Sequence, residues 1–296
     1  MRTHFFTLML LLIGSFALQA QENGQDTAKH WKLGGVNSLT FSQVSFTNWA
    51  SGGENSYTLN GLINLHANYK EGRNSWENSL DMGYGVVKQA SRDVRKSDDK
   101  LELMSKYGYK TSSNWFYTAS LNFKTQFAKG YSYNEEEGTK RQISDFMAPA
   151  YSLLSLGMDY KPNDAFSLMI SPLTGKTTYV LDDSLSNQGA FGVDPGEKIR
   201  NELGGFVKLT YNKDIWDNVT LNTKLDLFSN YLENPQNIDV SWDVLISMKV
   251  NEYLSANINT QLIYDDNIHY INKEGEDMGP RIQFKEVFGA GFTYKF

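Results

Sequence analysis

The stretch IDVSWDVLISMKV, residues 238–250, alternates apolar and polar side chains, and Leu245 is its single interruption. Ile238, Val240 and Trp242 begin the apolar series, while Asp, Ser and Lys side chains fill the positions between. A period of two is the spacing of a β-strand, because successive side chains point to opposite faces of a sheet. Strands in globular proteins usually run only about 5 to 6 residues. The stretch therefore predicts an unusually long strand with a different environment on each face.

The same alternation recurs from Trp31 onward, and helical periodicity is nearly absent. Twelve such segments are found, at residues 31–43, 56–70, 75–90, 100–111, 115–129, 149–161, 165–181, 198–212, 217–231, 237–250, 253–265 and 281–296. Short turns and longer loops alternate between them, except that the connection at 232–236 is short on the long-loop side. An even number of long antiparallel strands with this alternation is typical of a membrane barrel. We predict an all-β fold, a twelve-stranded antiparallel up-and-down transmembrane β-barrel spanning residues 31–296.

Composition narrows the class of protein further. Of the 296 residues, 40% are hydrophobic and 14% are aromatic, and the formal net charge is −6. Beyond the N-terminus no stretch approaches the roughly 20 apolar residues that a spanning helix requires. The aromatic content argues against disorder, and the acidic balance argues against a nucleic-acid partner.

A water-soluble exported β-sandwich or barrel is the main alternative fold. Alternation alone does not say which face is inside, but the aromatic residues help. One band, including Trp76, Trp115 and Trp216, lies beside the short turns, and a second band, including Tyr84 and Trp242, lies toward the other end. Two aromatic bands are expected where rings meet two lipid–water interfaces, so we favour the membrane barrel.

The N-terminus has the charged, apolar and small-residue zones of a secretory signal. We predict a signal peptide at residues 1–20, with cleavage after Ala20 preferred over Ala17, and a short periplasmic stretch at 21–30. The predicted location is the outer membrane of a Gram-negative bacterium. The chain contains no Cys, which excludes a lipoprotein anchor, disulfides and thiol chemistry.

If the apolar face contacts lipid, the other face lines the lumen, and charges of both signs are interspersed there. Counting from the short turns places six of them in three neighbouring pairs, namely Asp81 with Lys106, Glu102 with Lys124, and Lys224 with Asp243. Opposed charges would stabilise the strand register. Two interpretations remain open: a lumen tied across by ion pairs, which we favour, and a hydrated selective channel.

Residues for catalysis are sparse. A barrel phospholipase needs Ser and His together on the lipid-facing wall, whereas His66 is predicted to face the lumen. Asp265, Asp266 and His269 are more typical of a solvated loop than of a metal site. We expect no catalytic residue, no metal and no cofactor.

The first long loop combines a Trp, paired glycines and amide side chains. Paired glycines allow backbone angles that other residues avoid, so a defined turn is expected there. The segment could bind a sugar or peptide, or fold over the barrel mouth as a plug, and its candidate residues are Asn48, Trp49, Gly52, Gly53, Glu54 and Asn55.

A family resemblance rests on the motif Trp31-Lys32-x-Gly34-Gly35, then Phe41-Ser42-Gln43, then Asn48-Trp49-Ala50-x-Gly52-Gly53-x-Asn55-Ser56. These residues resemble a Bacteroidota family of predicted outer-membrane barrels without an assigned biochemical activity. The resemblance implies an outer-membrane location and supplies no catalytic residues.

The functional hypothesis is a non-enzymatic outer-membrane barrel that acts as an accessory or structural component of an outer-membrane complex. The alternatives are a narrow pore for ions or small solutes and an outer-membrane enzyme acting on lipid or glycan. Expected partners are outer-membrane lipids, the assembly machinery during biogenesis and other outer-membrane proteins, but not nucleic acid.

Overall fold

A computed structural model describes residues 30–45, 54–90, 92–134, 138–271 and 276–296. In chain order its strands are β1 (Trp31–Val44), β2 (Ser56–Glu71), β3 (Asn74–Gln89), β4 (Arg95–Lys110), β5 (Trp115–Thr125), β6 (Gly130–Asn134), β7 (Thr139–Ser144), β8 (Ala150–Asn163), β9 (Phe166–Tyr179), β10 (Ile199–Trp216), β11 (Val219–Asn230), β12 (Ile238–Lys249), β13 (Leu254–Tyr264), β14 (His269–Ile271), β15 (Asp277–Pro280) and β16 (Gln283–Lys295). Strands β6 and β7 form a separate hairpin, as do β14 and β15. The other twelve form a closed barrel.

Each barrel strand pairs antiparallel with its neighbours along the chain, and the ring closes between β1 and β16. The predicted twelve-stranded up-and-down barrel is confirmed. Most strand ends agree with the prediction within a few residues, but β4 begins at Arg95 rather than at residue 100. Charged residues before 100 suggest a loop, yet Lys96 lies 2.8 Å from Asp99 and donates to the Ala128 carbonyl at 2.7 Å. These contacts hold the charged start of β4 in the sheet.

The apolar face of the sheet points outward. Leu154 and Ser155 are consecutive in β8, yet Leu154 is 61% exposed while Ser155 is 0% exposed. The same contrast holds around the ring, so the barrel exterior is apolar and the interior carries the polar and charged side chains. A water-soluble barrel would bury its apolar face instead. The exterior is therefore that of a barrel solvated by lipid.

The outer loops contain ordered structure that the sequence did not predict. A short helix, α1 (Asp183–Asn187), is capped at its N-terminus by Asp182, whose carboxylate accepts a hydrogen bond from Leu185 N at 3.0 Å. Asp182 also accepts from Gln142 of β7 at 2.9 Å, which joins two loops. Beneath them lies a small apolar cluster of Ala148, Val180, Leu185 and Val193. We call the β6–β7 hairpin, α1 and this cluster the outer cap.

In the part of the chain that is described, no helix has the length and hydropathy to cross a membrane.

The orientation of the barrel can be tested with single cysteines, because the chain has none of its own. An impermeant thiol reagent added to intact cells is expected to label Asp194→Cys in the outer cap region. It should spare Asn163→Cys in the β8–β9 turn until the outer membrane is permeabilised. Labelling of Asn163→Cys alone in intact cells would reverse the orientation.

Candidate functional site

The lumen holds three layers of ion pairs, and the one nearest the short turns is the lower layer. Lys106 Nζ lies 2.7 Å from Asp159 and 3.1 Å from Glu77. Lys161 contacts the same two carboxylates, at 3.4 Å from Asp159. Ser167 donates a hydrogen bond to Asp159 at 2.6 Å. Two carboxylates and two ammonium groups thus balance each other, and Asp159 is 0% exposed.

The middle layer is a longer chain of charges. Lys124 Nζ lies 3.2 Å from Asp226 and 3.6 Å from Glu102. Lys208 reaches Asp226 at 2.8 Å, and Lys100 reaches Glu102 at 3.0 Å. Glu102 and Asp226, the two carboxylates of this row of charges, therefore each contact two cations. Such sharing compensates for removing the charges from bulk water, which is costly for an unpaired ion.

Two ion pairs of the same region cross the whole lumen. Lys224 of β11 lies 2.7 Å from Asp81 of β3, and Lys100 of β4 lies 3.7 Å from Asp243 of β12. In the ring order each pair joins strands that are six positions apart in either direction, so the two strands are diametrically opposed. We call these two pairs the partition. They divide the lumen into one half lined by β5, β8, β9 and β10, and another lined by β13, β16, β1 and β2.

The first half is tightly packed. Met169, Thr174 and Ser155 point inward and are all 0% exposed. Thr174 donates to Ser155 at 3.0 Å and shares a 2.9 Å hydrogen bond with Ser171, whose hydroxyl also donates to the Leu156 carbonyl at 2.7 Å. The last contact satisfies a backbone carbonyl at the point where the β8–β9 register shifts. We call this side the packed half, because these buried hydroxyls pair with one another.

The second half is different in character. Three polar side chains face the lumen here and are only half-buried, namely those of His66 and Asn68 on β2 and of Asn259 on β13. These side chains make no hydrogen bond with another described side chain or backbone group. Small residues line the neighbouring wall, including Gly34 and Gly289. A half-buried amide without a protein partner is satisfied by water. This side is therefore a water-accessible region, which we call the hydrated half. Its lining is polar, and it includes one charged side chain of β16, Lys285, which lies 2.7 Å from Asp98.

The upper layer lies nearest the long loops and is acidic. Lys176 Nζ lies 2.6 Å from Asp239, 3.3 Å from Asp265 and 3.5 Å from Glu202. Arg200 contacts Glu202 at 3.5 Å and an outer-loop carboxylate, Glu233, at 2.9 Å. A recess at this mouth is lined by Glu202, Asn230, Glu233, Asn234, Asn237, Asp239, Asp266 and Asn267. Carboxylates outnumber cations here, in contrast with the balanced layers below.

One predicted charge pair is wrong. Asp81 does not lie beside Lys106; its register partner is Glu102, and Lys106 is the register partner of Glu77. The like-charged neighbours Asp81 and Glu102 are tolerated because each pairs with a lysine. Asp81 pairs with Lys224 of β11, and Glu102 pairs with Lys124 of β5. Counting along neighbouring strands misses Lys224 as the partner of Asp81, since a lysine side chain is long enough to cross the lumen.

The other two predicted pairs are register neighbours. Glu102 and Lys124 are directly opposed and lie 3.6 Å apart. Lys224 and Asp243 are also directly opposed, but their ion pairs run to the far wall, to Asp81 and Lys100 respectively.

Three lysines central to the network, Lys100, Lys161 and Lys176, did not emerge as lumen charges from the sequence. Lys100 lies at the edge of the predicted β4 segment, and Lys161 lies at the end of the predicted β8 segment. Lys176 follows the register shift beside Pro172, which moves the alternation by one residue. The alternation Thr174-x-Lys176-x-Thr178 after that proline is the pattern in the sequence that would have placed Lys176 on the polar, inward face.

The candidate loop segment is only partly described. Asn48, Trp49, Gly52 and Gly53 lie outside the described residues, as do the predicted signal peptide and residues 21–29. Glu54 lies 3.7 Å from Arg92 at the exposed outer rim, and the Asn55 carbonyl accepts a hydrogen bond from Ala90 N at 2.7 Å. These two contacts join the β1–β2 loop to the β3–β4 loop. His269 of the proposed solvated loop pairs instead with Asp277 at 2.7 Å across the β14–β15 hairpin.

Comparison with known proteins places the chain beside a family without an assigned function. Residues 41–131 match the family model DUF3078, described as a protein of unknown function. No curated protein matches the chain.

Solved structures similar to this barrel are outer-membrane barrels. An outer membrane channel from Pseudomonas putida F1 has 13% sequence identity and a TM-score of 0.38, over 90% of this chain and 94% of that chain. The translocator domain of the autotransporter NalP from Neisseria meningitidis has 10% identity and a TM-score of 0.34, over 100% of this chain and 97% of that chain. The β domain of the Bordetella autotransporter BrkA has 13% identity and a TM-score of 0.30, over 88% and 98% of the two chains.

Proposed function

We propose that this protein is a non-enzymatic outer-membrane β-barrel that provides a narrow passage for small uncharged polar solutes. The observation that carries the proposal is the hydrated half, where His66, Asn68 and Asn259 face the lumen, are accessible to water and have no described protein partner. The apolar exterior supports the membrane location. The predicted signal peptide supports export to the outer membrane.

The chemistry of the lining favours neutral solutes. An amide offers both donors and an acceptor, so it can exchange a water molecule for a hydroxyl group of a passing solute. The charges that border this region are paired. Lys224 with Asp81 and Lys100 with Asp243 form the partition, and Lys285 of β16 pairs with Asp98. A passage with paired charges and an otherwise neutral lining has little fixed charge with which to select an ion.

A liposome-swelling assay tests the passage directly. The purified barrel is reconstituted, and swelling is followed in isotonic arabinose, glucose and sucrose. We expect swelling that falls steeply with solute size, and a several-fold slower rate for Asn259→Trp, since the new ring fills the hydrated half. Thr260→Trp is the matched control, because the next residue along β13 faces lipid and should leave the rate unchanged.

Two outcomes would contradict the passage. Wild-type liposomes that swell no faster than empty ones would remove it. Equal slowing by Asn259→Trp and Thr260→Trp would show that the residues facing the lumen do not line the route.

The second candidate is an accessory or structural component of an outer-membrane assembly. It is favoured by the packed half and by the outer cap, where Gln142 and Asp182 join two folded loops at 2.9 Å. A barrel with a braced interior and an ordered outer surface is suited to holding partners. A wild-type protein without any solute flux would make this candidate the primary one.

A further inference from the structure

One lipid-facing position on β16 carries a charge. Glu286 is exposed and lies between Phe284 and Phe288, which are 63% and 65% exposed on the same face. Lys285, the next residue in the chain, points into the lumen, where it lies 2.7 Å from Asp98. Across the ladder Glu286 faces Thr260, whose same-face neighbours on β13 are apolar. Glu286 therefore lies within the apolar surface rather than at a polar strand end.

A carboxylate on the lipid side of a barrel is unfavourable unless it has a partner. Glu286 makes no ion pair with any described cation, whereas Asp98, which faces the lumen, has Lys285. Residues 46–53, the stretch of chain that follows β1, contain no Lys or Arg. Intramembrane ionisable groups are rare and usually functional, and within the described residues no cation of this chain reaches Glu286.

A second, independent observation falls on the same segment. The register between β1 and β16 ends at Phe41 with Ala290, although β1 continues to Val44 and β16 begins at Gln283. On its other side, β1 pairs with β2 along its full length. Within the described residues, the outer part of β16 is thus hydrogen-bonded to β13 only.

A strand edge of this kind presents a row of backbone donors and acceptors. Such groups are unfavourable in a membrane when they are unpaired, because hydrocarbon offers no hydrogen-bonding partner. For this reason a membrane barrel normally closes to remove its edges. An extended polypeptide satisfies them by adding as a further strand. Lipid cannot do so, since an acyl chain carries no hydrogen-bonding groups.

We infer that the outer part of β16, Gln283–Gly289, is a docking surface for an extended segment of a second protein that carries a Lys or Arg side chain. The segment pairs with the backbone groups of this edge that no described residue pairs with, its cation reaches Glu286, and Phe284 and Phe288 supply apolar contact on either side. We call this surface the β16 edge. The inference goes beyond the proposed passage, because the β16 edge lies on the barrel wall and the swelling assay does not involve it.

Site-specific photo-crosslinking in native membranes tests the partner. A photoreactive amino acid replaces Phe288 in the full-length protein, or Trp242, a lipid-facing residue of β12, as the matched control. We expect a protein adduct from position 288 and only lipid adducts from position 242. Mass spectrometry of the adduct should place the crosslink beside a Lys or Arg in the partner.

Charge variants show whether Glu286 carries the interaction. Glu286→Lys is expected to lower the yield of the adduct on the order of tenfold or more, because it replaces an attractive charge with a repulsive one. Glu252→Lys, in an exposed turn, makes the same charge change and should leave the yield intact. Heat-modifiable mobility in gels identifies variants that fold.

In the purified barrel, Glu286→Leu should raise the unfolding midpoint, since the isolated protein loses an unpaired charge.

Three outcomes would overturn the inference. The first is only lipid adducts from position 288. The second is a protein adduct whose yield is insensitive to Glu286→Lys. The third is an adduct with a second copy of this chain, which would make the β16 edge a self-association surface.

Discussion

Replacement of Asp159 by Asn is expected to lower the free energy of unfolding by about 3 to 5 kcal/mol, the range for breaking a buried ion pair. The substitution leaves Lys106, whose side chain is 6% exposed, and Lys161 with Glu77 as their only carboxylate in the lower layer. The lower layer would change from balanced to positive. Reversible urea unfolding of the barrel in lipid vesicles, followed by Trp fluorescence, measures the difference.

The matched control is Asp164→Asn in the exposed β8–β9 turn, which should change stability by less than about 0.5 kcal/mol. Adding Lys106→Gln to Asp159→Asn should recover part of the loss, because it restores the charge balance. A loss below about 1 kcal/mol for Asp159→Asn would mean that water screens the lower layer, contrary to the burial of Asp159.

Replacement of Ile246 by Lys is expected to destabilise the barrel by about 2 to 4 kcal/mol, the range for a lysine placed near the bilayer midplane. Ile246 lies on the outward face of β12, opposite Leu221 and Ile258 on the adjacent strands. The new ammonium group would have to remain in hydrocarbon or distort the bilayer. Yield of folded protein in the membrane and urea unfolding both report the effect.

Ser247→Lys is the control for that change. Ser247 is the next residue of β12 and points to the lumen, where its register partners are Thr220 and Asn257. Water reaches this side of the barrel, so the charge should be accommodated with a much smaller loss. Equal tolerance of the two substitutions would contradict the assignment of the outward face to lipid.

The barrel itself could be predicted from the sequence because its signal is periodic. Each strand repeats the alternation of residues 238–250, and lipid outside with charges inside keeps the two faces chemically distinct. Even Leu245, the interruption in that alternation, keeps its register and faces the lumen opposite Asn259. One-dimensional patterns are sufficient for architecture of this kind.

The lumen network could be predicted only in part, because its contacts are made through space. Lys224 with Asp81 and Lys100 with Asp243 depend on the curvature of the closed ring, which no local pattern encodes. The register shift in β9 moved Lys176 onto the inner face, where a count along the strand does not place it.

The partition also constrains the order in which the protein assembles. Lys224 and Asp81 are separated by 143 positions in the chain, and Lys100 and Asp243 by the same number. Contacts between residues so distant in sequence form late, since a long loop must close before they are made. Lysines without their partners are poorly tolerated in hydrocarbon. We therefore expect the β3–β4 and β11–β12 walls to face each other before or during insertion, and we expect ring closure, rather than the formation of hairpins, to be the slow step of biogenesis.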